Sequence, residues 1–277
     1  MQPDSVLPIR ITDPADPRIA GFVGVRERDL IGRQGAFIAE GTVVLRMLAE
    51  ASRAGAFDAL SLLILENRFA GLADLVARFP VDVPVHVADK AVFNAIAGFD
   101  MHRGVMALGR RRPPQRLADR LAALPAEALV LAACGLSNHD NVGSIFRNAA
   151  AFGVDTVVMD ETCCDPLYRK ALRVSVGAVL AVPYAREGSA DEMIEALDAA
   201  GFALWGLSPR GATDLDAIPP APRTALLVGT EGEGLPEALM RRIRTARIRQ
   251  RPGLDSLNVA TATGIALHRV ASLNGRI

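Results

Sequence analysis

The sequence predicts an α/β protein in two parts: a small α/β domain, then a larger one built on a mostly parallel sheet. Three observations carry this. Apolar runs of strand length alternate with longer amphipathic runs along the chain. In the second half the strand runs are almost continuously apolar, as strands covered on both faces by helices are. Between the halves, "RRRPPQR" at 110–116 sets a Pro-Pro pair among charges, which stops regular structure and places the boundary after residue 112.

In the first part, "EGTVVLRMLAEASRAG" reads as an amphipathic helix ending at Gly55, and "SLLIL" as a short strand. "GLADLVARF" reads as helix, "VPVHVA" as strand, "KAVFNAIAGF" as helix and "GVMALGR" as strand. In the second part "ALVLAAC" is a buried strand, followed by a helix over "NHDNVGSIFRNAAAFG". "TVVMD" is a strand, "DPLYRKALRVSVG" a helix and "AVPYA" extended. "SADEMIEALDAAG" is a helix with Ser189 and Gly201 as its caps. "FALWGLS" and "TALLVG" are strands, and "LPEALMRRI" is a helix with Pro236 in its first turn. The final helix, in "SLNVATATGIALHRVASLNG", carries apolar and small residues on nearly every side. That pattern predicts burial between the sheet and a partner subunit.

The 277 residues are half apolar, enough for a sizeable core. No apolar run approaches the roughly 20 residues of a membrane span, and the start lacks the layout of a secretory signal. A cytoplasmic protein with no membrane partner is expected. Cys134, Cys163 and Cys164 are odd in number and not in C-x-x-C spacing, and the four histidines are scattered. Neither a disulfide scaffold nor a metal site is indicated. Net charge is zero, but "RRIRTARIRQR" at 241–251 holds six arginines and "GRRRPPQR" at 109–116 four. Such clusters serve either as phosphate contacts or as solvated faces.

Three stretches carry chemistry. "SNHDNVGSIFRNAAAFG" follows a strand, where parallel-sheet folds bind ligands. "LLVGTEGEGLPEAL" is again strand, glycine turn and helix, and "RIRQRPGLDSLNVATATG" is a turn leading to a helix. The glycines at 229, 232 and 234 run G-x-x-G-x-G, the wrong order for a dinucleotide turn, so a nucleotide-dependent oxidoreductase is disfavoured. Singly, Asn141, Asp255 and Ser256 fit helix caps. A helical arginine such as Arg147 commonly points to solvent.

Taken in order, "NVGSIFRNAAAFG", "LLVGTEGEGL" and "SLNVATATGIAL" resemble the three sequence motifs of the SpoU (TrmH-like) RNA ribose 2'-O-methyltransferases of the SPOUT superfamily. "GAFIAEG" and "HRGVMAL" give the first part a weaker resemblance to the small ribosomal-protein-L30-like substrate-binding domain. The resemblance implies an RNA-binding domain over 1–112 and a methyltransferase domain over 113–277. The latter would carry a parallel sheet and a trefoil knot, a connection ordinary topology rules exclude. It further implies a homodimer and S-adenosyl-L-methionine as methyl donor.

On this resemblance the catalytic positions are Arg147, Asn141, Glu231, Ser256 and Asn258, and the donor-binding positions are Gly229, Ile248 and Leu257. Arg147 is expected to hold RNA phosphate and stabilise the developing oxyanion, because a guanidinium stays protonated. Asn141 would orient Arg147 or the ribose, and Glu231 would orient Arg147 or Asn258 or fix the loop. At Gly229 a backbone would approach the ligand closely. The pattern departs at Ile248-Arg249-Gln250, where the family has Ile-Pro-Met, so donor affinity and the turn's rigidity come into question and Arg249 becomes a candidate RNA contact. Arg10, Arg26, Arg28 and Arg33 are expected phosphate contacts of the first part. The expected substrate is rRNA ahead of tRNA. The alternative is an RNA-binding ribosome-assembly factor with little or no transfer activity, which the altered turn favours.

Overall fold

The computed structural model describes residues 7–23, 27–97, 104–113, 115–251, 253 and 255–277, without the side chains of Arg28 and Arg33. Arg26, those two side chains, and His102 and Arg103 of "HRGVMAL" therefore lie outside the described residues. Contacts divide the chain into two compact units. One is Met1–Pro113 with Leu167–Ala181, the other Pro114–Pro166 with Val182–Ile277.

The first unit has a five-stranded mixed sheet. Its strands are β1 (Ile9–Ile11), β2 (Ala36–Glu40), β3 (Phe57–Leu65), β4 (Val85–Ala88) and β5 (Val105–Arg111), in the order β1-β4-β3-β5-β2. β5 runs antiparallel to both β3 and β2, while β1, β4 and β3 are parallel. Helices α1 (Glu27–Gln34), α2 (Thr42–Arg53), α3 (Glu66–Phe69), α4 (Ala73–Val76) and α5 (Lys90–Ala97) join them. Ile38, Leu63, Phe93, Ile96 and Met106 form part of one buried cluster.

Two short helices from the second half of the sequence, α8 (Arg169–Val174) and α9 (Ala178–Ala181), belong to this unit. The single helix expected over 165–177 is thus broken. Val176 adopts φ 55°, the one positive φ outside glycine among the described residues, and Gly177 follows at φ 84°. The bonds from Val176 N to Arg173 O (3.1 Å) and from Gly177 N to Leu172 O (3.0 Å) close the end of α8 as a Schellman motif.

The second unit is built on seven strands, all parallel: β6 (Ala128–Ala133), β7 (Thr156–Met159), β8 (Tyr184–Arg186), β9 (Ala203–Leu207), β10 (Thr213–Asp214), β11 (Arg223–Val228) and β12 (Arg244–Arg247). Their order is β10-β12-β9-β11-β6-β7-β8. Its helices are α6 (Leu117–Ala122), α7 (His139–Ala151), α10 (Ala190–Ala199), α11 (Glu237–Met240) and α12 (Val259–Leu273). Val130, Ile194, Leu197, Leu204 and Leu227 lie in its core. The α10 caps are as expected: Ser189 and Glu192 form a capping box, and Gly201 takes φ 78° just beyond the helix. Among the described residues no helix is long and apolar enough to cross a membrane.

The structure adds three local details to the sequence reading. Helix α11 is one turn long, with Pro236 as its N-cap. Strand β12 lies inside the arginine-rich run, where only Ala246 is buried. Within the chain, helix α12 packs on one side and leaves the other open. Thr261, Ile265, His268 and Ser272 share an exposed face, with Ile265 41% exposed.

Candidate active site

A parallel sheet delivers every strand's carboxyl end to one edge, and there the three motif stretches leave it. β6 and β11 are neighbours in register, Ala133 opposite Val228, so the loops entering α7 and following Val228 emerge side by side. The chain after β12 leads to the start of α12.

At the mouth of α7, Asn138 is the N-cap, accepting from Asp140 N at 2.9 Å. Asn141 is therefore not a cap. It lies inside the helix, 7% exposed, and its amide donates to the Glu231 carboxylate. Asn258 Nδ2 donates in turn to Asn141 Oδ1 at 2.9 Å. Asn258 also caps α12, its Oδ1 accepting from Ala260 N at 2.9 Å and Thr261 N at 3.2 Å, a role expected of Ser256 or Asp255. One chain of hydrogen bonds, Asn258 to Asn141 to Glu231, thus joins the three motifs. A second link ties the same helices: Asn148 Nδ2 donates to Ala260 O at 2.8 Å and packs against Gly264.

Arg147 and Ser256 are not part of that chain. Six residues beyond Asn141 at about 100° each, Arg147 points roughly 120° around the helix from it. It is exposed, and its side chain makes no hydrogen bond or ion pair with a described residue. Ser256 is likewise exposed.

Of the donor-binding candidates, Leu257 adjoins Asn258, and Gly229 precedes Glu231 by two residues. Ile248 lines a cavity of about 320 Å³ with Leu215, Asp216, Arg249 and Ile265. No main-chain hydrogen bond joins Gly229, Ile248 or Leu257 to another described residue. Gly229 is buried and Ile248 and Leu257 partly so. The chain's own turn also requires glycine at 229. A Cβ there would stand 2.2 Å from the Gly234 carbonyl carbon and 2.3 Å from Leu235 N, so the chain's own turn fills the space.

The arginine clusters are largely engaged within the chain. Arg241 pairs with Glu237, Arg242 with Asp191 and Glu195, Arg247 with Asp214 and Arg249 with Asp216, while Arg244 stacks over Trp205. Arg249, the departure from the family turn, donates to Asp216 at 2.8 Å, and Arg269 donates to the Asp216 carbonyl at 2.9 Å. Asp58 takes both Arg112 and Arg110, which hold its carboxyl below the usual range. Arg10 pairs with Glu66 at 2.8 Å.

The thiols near this edge are not nucleophiles. Burial, reinforced by Asp160, pushes Cys134 up to about 12 and raises Cys163 as well. Burial and then Asp165 push Cys164 up to about 11. All three stay protonated near neutrality.

Residues 128–268 match the SpoU rRNA Methylase family. An uncharacterized tRNA/rRNA methyltransferase of Mycobacterium bovis is 40% identical, over 96% of this chain and 92% of its own length. Among solved structures, an AdoMet-bound rRNA methyltransferase from Sinorhizobium meliloti aligns with a TM-score of 0.77 at 26% identity, covering 95% of this chain and 97% of its own. A structure described as an RNA 2'-O ribose methyltransferase aligns with a TM-score of 0.77 at 25% identity, covering 96% and 99%.

Proposed function

The chain belongs to the SpoU rRNA methylase family, and from that premise we propose that it methylates a ribose 2'-hydroxyl of RNA, with S-adenosylmethionine as donor and rRNA as substrate. The observation that carries this is the Asn258–Asn141–Glu231 chain, which gathers the three motifs at the carboxyl edge of a parallel sheet. Residues 1–112 serve as the RNA-binding domain and 113–277 as the methyltransferase domain, knotted after β12, with Leu167–Ala181 of the latter grouped in the first compact unit. Two copies associate, and the exposed α12 face with Ile265 suits burial by the second.

When bound, the donor supplies an electrophilic methyl group on sulfonium. The backbone of Gly229, Ile248 and Leu257 holds it. Asn141, fixed at its oxygen by Asn258 and at its amide by Glu231, orients the ribose, and Ser256 lines the same pocket. Transfer needs near in-line approach, so such fixed positioning supplies much of the rate. As the hydroxyl passes its proton to solvent water, Arg147 holds the neighbouring phosphate and offsets the charge building on the oxygen.

Calorimetry with S-adenosylmethionine and mapping of ribose methylation in RNA from cells with and without the gene test this. Donor binding and the loss of a 2'-O-methyl mark from rRNA are expected. A mark lost from tRNA redirects the substrate. Absence of donor binding favours the assembly-factor reading, whose physical basis is the altered turn that Arg249 ties to Asp216.

A further inference from the structure

Among the described residues the one buried carboxylate is Asp160, which follows β7 at the sheet's carboxyl edge and is 4% exposed. Its position follows from register. Ala133 and Met159 are opposite each other, so Asp160 leaves the sheet beside Cys134 and Gly135. The Gly135 N–H is shared between both carboxylate oxygens, donating to Oδ2 at 3.0 Å and to Oδ1 at 3.2 Å. Oδ1 accepts from Thr162 N at 3.1 Å, Thr162 Oγ1 at 2.7 Å and Cys163 N at 3.0 Å. The turn held in this way grips the next residue from both sides. Leu136 N donates to Cys163 Sγ at 3.3 Å, and Cys164 N donates to Leu136 O at 2.7 Å.

The tethered segment bears on both ends of the Asn141–Glu231 contact. Residues 135 and 136 lead into Asn138, the cap of α7. Gly135, at φ 67°, lies so close to Thr230 that a Cβ would be 2.8 Å from its Cγ2, and Thr230 adjoins Glu231.

We infer that Asp160 is a positioning residue for the methyl-transfer site: by holding Gly135 it fixes the mouth of α7 against the loop that carries Glu231. The inference rests on the proposed function and adds a residue that none of the three motifs contains. Asp160 touches neither RNA nor donor and acts through Gly135 and Thr230.

Asp160→Asn tests it in the full chain. Three donors outweigh one, so the asparagine carbonyl faces Thr162 and Cys163 and its amide faces the Gly135 N–H. Two donors then oppose each other at Gly135, whose N–H keeps only its longer 3.2 Å bond to the carbonyl oxygen, while the 162–163 turn is kept. Loss of the shorter bond and a donor facing a donor at a buried site are expected to lower kcat about tenfold, with the S-adenosylmethionine Kd within about twofold. Hydrogen exchange should quicken in both 134–141 and 229–235 and stay unchanged in 190–199. Ile194→Val, a buried change on α10, is the control for lowered stability and should keep the wild-type kcat. Unchanged exchange at 229–235 in Asp160→Asn, or an equal loss of kcat in the control, overturns the inference. If the wild-type protein binds no donor, the proposed function fails instead, because the exchange measurement needs none.

Discussion

Asn258 and Asn141, 117 residues apart in the chain, share a hydrogen bond of 2.9 Å, and Asn258 uses its other side-chain atom to cap α12. A fold element and a site contact therefore meet in one amide, with the oxygen serving the helix and the nitrogen serving Asn141.

That division can be taken apart with Asn258→Asp. Aspartate caps helices about as well as asparagine, so the melting temperature should move little. The bridging donor becomes a carboxylate oxygen facing Asn141 Oδ1, and losing that bond is expected to lower transfer about tenfold. Thermal unfolding and single-turnover methylation read the two effects separately. Wild-type transfer in the variant would remove the Asn141–Asn258 bond from the site's working parts.

Arg147→Ala probes the one cation of the proposed machinery. The side chain is exposed and without a partner among the described residues, so stability should change by no more than about 0.5 kcal/mol. A donor group aimed at a developing oxyanion is worth roughly 10²–10³ in rate, and transfer should fall in that range while donor affinity holds. Arg147→Lys keeps the charge but loses the planar fork and should recover part of the activity. Comparable rates for Arg147→Ala and wild type would exclude Arg147 from the reaction.

What could be read from the sequence tracks where the information is local. β6, β7, β9 and β11 are legible because strands buried on both faces are apolar throughout, and Ser189 and Gly201 because caps are set by a few adjacent residues. β12 is hidden because its two arginines find partners on distant segments, Arg247 at Asp214 and Arg244 over the ring of Trp205, and a short window shows only charge. Two cap-type residues within four positions made Asn138 and Asn141 hard to tell apart, and only the fold assigns the cap to one and the Glu231 contact to the other. Asp160 carried no signal: a lone aspartate after a strand reads as an ordinary loop residue.

The first unit should lose stability in mild acid through His86. This side chain is 2% exposed in β4, its Nδ1 lies 3.2 Å from Leu62 O, and Asp16 and Arg18 are the charges near it. Burial lowers its pKa in the folded chain below the ordinary 6.5, outweighing the bond to Leu62. Between the folded and unfolded values the unfolded chain binds more protons, so stability is present above about 6.5 and is lost as the pH falls toward the folded value. Calorimetric scans from pH 7.5 downward should show the melting temperature falling more steeply for wild type than for His86→Gln. Parallel curves would mean that another group controls the acid limb.

Gly229→Ala separates two reasons for a glycine at the proposed donor turn. If the residue were small only to admit a ligand, alanine would block binding and leave the ligand-free protein as stable as before. The geometry says otherwise, since the new Cβ would meet the backbone of Gly234 and Leu235 at 2.2–2.3 Å, where no flexible side chain can yield. The 230–235 turn must then shift and carry Glu231 away from Asn141. Overpacking of this kind costs about 1–3 kcal/mol, or a melting temperature lower by roughly 2–10 °C for the ligand-free chain. Transfer should fall with it, because the Asn141–Glu231 contact is lost even where donor still binds. An unchanged ligand-free melting temperature, with donor binding abolished, would restore the ligand as the reason for this glycine.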